Sequence, residues 1–134
     1  MQRKIARENA FVLIYESVFK KNEEPQEIFD MASTYRELET DEYVRNVFFG
    51  SCENAEMLDE AVERNSTGWK KERISPVSMA ILRLACYEIM FMEDIPARVT
   101  INEAVELAKK YDDDKSYSFV NGVLDAVATE FSKK

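Results

Sequence analysis

The sequence predicts an all-α protein of six to seven helices, and three observations carry that prediction. Only three glycines and three prolines occur in 134 residues, too few turn formers for many short strands. Apolar residues recur at spacings of three and four over most of the chain. Helix start signals, a small polar residue or a proline before an apolar run, punctuate it at several points.

The first helix is expected from about Arg3 to Phe19. Between Ala10 and Phe19 it is apolar on most sides with Glu16 its only charge, so it should lie between neighbours. "KKNEEPQE" breaks it. Pro25 fits the first position of a second helix, with Glu23 and Glu24 near its positive end, running to about Glu37. Thr40 is expected to cap a third helix with Asp41 and Glu42 in its first turn. Val44, Val47, Phe48, Ser51, Ala55, Leu58 and Val62 then form one stripe as far as Arg64. Gly68 is read as its stop, and "WKKERIS" as a connector.

Ser75-Pro76 opens the next helix. Its sequence "VSMAILRLACYEIMFM" is apolar on most sides, which places it at the centre of the core. Glu93–Pro96 breaks it. In "VTINEAVELAKKY", Thr100 and Glu103 have the spacing of a capping box, and Ile101, Ala104, Val105 and Ala108 mark an apolar stripe. After "DDDK", Ser116 is expected to cap the last helix, with Val120, Val123, Leu124, Val127 and Phe131 buried.

A chain of this length suggests one domain. The net charge of −8 argues against generic adhesion to nucleic acid or to an anionic membrane. Cys52 and Cys86, the only cysteines, sit in helical segments and are expected to be reduced thiols in a cytoplasmic protein. The run "AFVLIY" is too short to span a bilayer.

Much catalytic chemistry is missing. Histidine is absent, which removes the commonest general base and neutral metal ligand. Two isolated cysteines make no zinc site, and the scattered glycines make no phosphate loop. Asp112, Asp114 and Ser116 mimic the start of a calcium loop, but Tyr117 stands where glycine is needed and Val123 where glutamate is needed. No enzyme, metal or cofactor is expected.

Binding chemistry is present. Arg3, Lys4 and Arg7 occupy the amino end of the first helix, where its dipole disfavours cations by about 0.3–1 kcal/mol each. Arg3, Arg7, Phe11 and Tyr15 are four residues apart and lie along one edge. Cations that hold phosphates beside rings that stack bases suit single-stranded nucleic acid, RNA above all. The competing reading is that the charges serve solubility while Phe11 and Tyr15 are core. A second cluster is Lys109, Lys110, Tyr111, Lys115, Tyr117 and Phe119. The dipole accounts for its first two lysines.

"RISPVSMAILRLACYEIMFMEDIPARVTINEAVELAKKY" followed by "SFVNGVLDAV" resembles the NusB family of bacterial transcription antitermination factors. The amino end "RKIARENAFVLIY" resembles that family's arginine-rich start. The resemblance implies two small helical bundles packed across one another. It implies binding of the single-stranded boxA element of ribosomal RNA leaders with ribosomal protein NusE, inside an RNA polymerase antitermination complex. It admits monomers or a homodimer that hides the RNA surface. It carries RNA-binding roles to Arg3, Lys4, Arg7, Tyr15, Tyr111 and Phe119, and places partner contacts at Ser78, Lys115 and Phe119. The alternative is an acidic helical protein-interaction module that binds no RNA. A third reading, a detached helical domain of an RNA methyltransferase, would also leave only a binding role.

Overall fold

A computed structural model describes residues 1–67 and 71–134, Lys71 by its backbone alone. Among these residues there are seven α-helices and no strand. They are α1 (Arg3–Phe19), α2 (Pro25–Asp30), α3 (Glu42–Glu53), α4 (Ala55–Arg64), α5 (Pro76–Phe91), α6 (Ala97–Tyr111) and α7 (Ser116–Glu130). The first three form one bundle and the last four another. α5 packs against α1 and α3 on one side and against α4, α6 and α7 on the other, the central position its all-round apolar sequence predicts. Its Ala80, Ile81, Leu82, Ala85 and Cys86 are completely buried or nearly so.

Several boundaries differ from the expected ones. α2 starts at Pro25 as expected, but its α-helical part ends at Asp30 and a π-helical turn, Met31–Tyr35, follows. Glu37 then adopts φ 55°, a left-handed conformation that no α-helix can pass through. The cap of α3 is Asp41, whose carboxylate accepts from the Val44 amide at 2.9 Å, not Thr40. The long third helix is two helices. Asn54 leaves helical geometry and its side-chain amide donates to the Gly50 carbonyl at 2.8 Å, a local bond that competes with the helix. The apolar stripe continues across this break, which is why spacing alone does not reveal it. Gly68 lies outside the described residues, and the connector contains a 3-10 turn at Lys71–Arg73.

Ser75 caps α5 as expected, accepting from the Ser78 amide at 3.0 Å. The α6 start does not follow the expected capping box. Pro96 provides the N-cap and the helix begins at Ala97. Thr100 is therefore inside the first turns, 1 % exposed, with its hydroxyl committed elsewhere. At α7 the capping group is Asp113, whose carboxylate accepts from the amides of Lys115 and Ser116 and from the Ser116 hydroxyl. Val120, Val123, Leu124 and Val127 are buried, but Phe131 follows the last helical residue and is exposed.

Gly50 has a packing reason. A Cβ at this position would lie 2.4–2.5 Å from the Tyr87 ring and hydroxyl, so the close approach of α3 to α5 requires glycine. Arg83 of α5 forks onto Asp59 of α4 with two 2.8 Å bonds, fixing the second bundle across its apolar seam.

Candidate nucleic-acid interface

α1 begins with three cations and no acid in its first turn, and each cation finds compensation on a different helix. The Arg3 guanidinium lies 4.4 Å from the centre of the Tyr43 ring of α3, within cation–π range. Lys4 approaches Glu103 of α6 at 3.7 Å, with 69 % of its side chain exposed. Arg7 turns inward. It is 5 % exposed and forks onto Glu88 of α5, Nε to Oε2 at 2.8 Å and Nη2 to Oε1 at 3.2 Å.

Glu88 is the centre of a buried knot. Its side chain is wholly inaccessible, and four donor groups converge on it: two from Arg7, the Tyr43 hydroxyl, and the Thr100 hydroxyl at 2.6 Å. α1, α3, α5 and α6 are thereby tied at one carboxylate. Burial opposes the charge on Arg7, but the bond and the proximity of Glu88 outweigh it and raise its pKa further. Burial raises the Tyr43 hydroxyl, and the adjacent Glu88 charge raises it more. Arg7 is thus a member of the core. The four-residue spacing that puts it in line with Arg3 does not put it on the surface.

The exposed edge beside this knot is built by α1 and the end of α6. The Tyr111 hydroxyl donates to Glu8 at 2.6 Å, and Lys110 reaches both Glu8 oxygens at 3.0 Å. The Tyr111 hydrogen bond, followed by that from Lys110, holds the Glu8 carboxyl below its usual value against the opposing effect of burial. The same bond to Glu8 raises the Tyr111 hydroxyl. The Tyr111 ring packs 5.1 Å from Phe11, which stands 6.1 Å from Tyr15. Phe11 is buried, Tyr15 half-buried and Tyr111 exposed. The edge therefore offers Arg3, Lys4, Tyr15 and Tyr111 to the outside, with Glu8 and Lys110 among them.

A second surface starts one residue further on. Asp112 accepts from the Ser75 hydroxyl at 2.8 Å and the Ser78 hydroxyl at 2.6 Å. Burial pushes its carboxyl up, but the Ser78 and Ser75 bonds overcome this and leave it low. Above this junction, Arg73, Ser78, Lys115, Ser118 and Phe119 line an open groove of about 610 Å³. The three expected partner residues, Ser78, Lys115 and Phe119, are brought together here. Ser78 is 3 % exposed and forms part of the groove's base, Lys115 is exposed, and Phe119 is half-buried against the core. Tyr111, the last residue of α6, and Asp112, the extended residue that follows it, thus serve the edge and the groove respectively.

Sequence reasoning missed Glu88, Tyr43, Thr100 and Glu8. Glu88 had a signal: it is an acid in an otherwise apolar helical run, and such a charge must be paired. Tyr43 and Glu8 had none, and the spacing of Thr100 pointed to a cap instead, because their partners lie on other helices.

The NusB family model matches residues 4–129. A transcription antitermination protein NusB of Clostridium botulinum (strain Alaska E43 / Type E3) is 40 % identical over 131 residues, spanning 95 % of this chain and 98 % of the relative. One from Bacillus thuringiensis (strain Al Hakam) is 44 % identical over 124 residues, spanning 92 % and 95 %. Among solved structures, T. maritima NusB superposes with a TM-score of 0.86 at 34 % identity, covering 97 % of this chain and 92 % of that one. A structure described as antitermination factors NusB and NusE in complex with dsRNA gives 0.84 at 28 %, covering 96 % of each. Fold, ordered motifs and relatives of matching length agree, and the chain belongs to the NusB family of transcription antitermination factors.

Proposed function

We propose that this protein binds the single-stranded boxA element of ribosomal RNA leaders together with NusE, and that the pair joins an RNA polymerase antitermination complex. The observation that carries this reading is the exposed edge of Lys4, Arg3, Tyr15 and Tyr111, which meets the Ser78–Lys115–Phe119 groove at the end of α6. Exposed cations beside exposed rings are the chemistry of single-strand binding. The similar solved structure described as NusB and NusE with dsRNA supports NusE and RNA as partners, while the single strand rests on the rings of this edge. RNA is assigned to the α1–α6 edge and NusE to the groove, with Phe119 serving both. Arg7 contributes by fixing α1 against α5 through Glu88 rather than by reaching phosphate. The role is binding rather than catalysis, performed by one domain in the cytoplasm. A homodimer formed over the exposed face of α1 would compete with RNA.

With a net charge of −8, affinity for RNA alone should be weak and should rise when NusE is present. Titration of boxA and a scrambled RNA, with and without NusE, at two salt concentrations tests this. A boxA preference strengthened by NusE is the expected result. No preference for boxA even with NusE present would favour the second reading, an acidic protein-interaction module without RNA binding of its own, which the net charge motivates.

A further inference from the structure

The far end of α1 repeats the chemistry of its start. Phe19 is 58 % exposed and belongs neither to the core nor to the side chains packed against it. Its ring meets the Tyr15 ring edge-on at 5.0 Å and 75°, so it continues the row Tyr111–Phe11–Tyr15 by one more turn. At about 100° per residue, Lys4, Glu8, Tyr15 and Phe19 fall within roughly 60° of one another on the helix surface. They share one outward face that runs about 24 Å along the axis.

Lys20 and Lys21 follow Phe19 directly, and both are exposed. The acids nearest this face and its lysines are already paired. Glu8 is held by Tyr111 and Lys110, Glu16 by Lys20 at 3.4 Å and by Arg36, and Glu23 approaches Lys20 at 4.0 Å. A phosphate that reaches Lys20 therefore exchanges for weakly held surface carboxylates. Cations at a helix carboxyl end suit its dipole, which accounts for the lysines. It does not account for an exposed phenyl ring that the core does not use.

We infer that Phe19, Lys20 and Lys21 form a second RNA subsite, in which Phe19 stacks a base beyond those held at the amino end of α1 and the two lysines take the flanking phosphates. This rests on the RNA-binding reading above and extends it: the strand follows the whole outward face of α1, not only its first turn. Stacking on an aromatic ring is tolerant of sequence, so the subsite adds affinity without narrowing the bases read.

The test uses single-stranded RNAs extended one nucleotide at a time from boxA, in one series at the 5′ end and in another at the 3′ end, each titrated with NusE present. Phe19→Ala should weaken binding of the longer RNAs in one series by roughly 5- to 150-fold. It should leave the shortest boxA RNA and the thermal unfolding midpoint unchanged, and Phe19→Trp should retain wild-type affinity. Joint replacement Lys20→Gln and Lys21→Gln should flatten the salt dependence of the longer RNAs by about 1.4 in log–log slope. If Phe19→Ala binds every RNA of both series as the wild type does, or loses only NusE, the subsite does not exist. A wild type that shows no boxA preference would instead overturn the RNA-binding reading itself.

Discussion

Glu88 and Glu8 perform the same chemistry in opposite surroundings. Each carboxylate accepts from a basic side chain and a tyrosine hydroxyl: Glu88 from Arg7 and Tyr43, Glu8 from Lys110 and Tyr111. Around Glu88 no water is available, Thr100 fills the remaining acceptor site, and four helices depend on the arrangement. Around Glu8 the Lys110 side chain is 59 % exposed, and water can replace any partner that leaves. A buried pair is expensive to break because its survivor is stranded, whereas an exposed pair contributes little and exchanges readily. One knot is built to hold, and the other is open to trade Lys110 and Tyr111 for RNA.

The largest expected effect follows from the buried knot. Glu88→Gln should lower the unfolding free energy by about 3–5 kcal/mol, because Arg7 then stays charged and buried without a counter-ion. Denaturant titration would measure it, and a loss below about 1 kcal/mol would mean that water reaches the site. Next is Gly50→Ala. The new Cβ must displace the Tyr87 ring, and overpacking of about 1–3 kcal/mol should exceed the roughly 1 kcal/mol gained in helix propensity. Unchanged stability there would show that α3 and α5 can move apart.

Glu8→Gln should change stability by less than about 1 kcal/mol. RNA binding should tighten about 2- to 5-fold, since a charge that repels phosphate is removed and Lys110 is released. The smallest effect is one of pH. The folded-state pKa of Glu8 is depressed, so its contribution is present above the unfolded value of about 4.3 and disappears as pH falls through the folded value. The wild type should therefore lose slightly more stability than Glu8→Gln between pH 5 and 3. Parallel curves would show that Glu8 adds nothing to the fold.

The same contrast explains what was legible in the sequence. The central position of α5 was readable because its apolar residues cover every side, and the Ser75 cap was readable because cap and amide are three residues apart. Thr100 misled because its hydroxyl answers Glu88 on a neighbouring helix rather than its own first turn. The α3–α4 break was hidden because the apolar stripe passes through Asn54 undisturbed. At the candidate site, spacing placed Arg3, Arg7, Phe11 and Tyr15 on one line but could not say what covers that line. Arg7 and Phe11 face α5 and α6, and only the neighbours decide that. Some local signals were readable, as at Ser75, while others were shifted by one to three residues because neighbouring polar residues compete for the same amides, Asp41 with Thr40 and Asp113 with Ser116. Partners that came from elsewhere in the fold were not readable at all.

The most direct test of this division between a structural knot and a binding edge is to compare Lys4→Gln with Arg7→Gln. Unfolding free energy and the salt dependence of boxA RNA binding would be measured for both, with binding recorded at a temperature where both are folded. Lys4→Gln should keep its stability, lose affinity, and show a slope smaller by about 0.7. Arg7→Gln should lose about 3–5 kcal/mol of stability while its salt slope stays that of the wild type. The reverse pattern, a stable Arg7→Gln with a reduced slope beside an unaffected Lys4→Gln, would contradict the account.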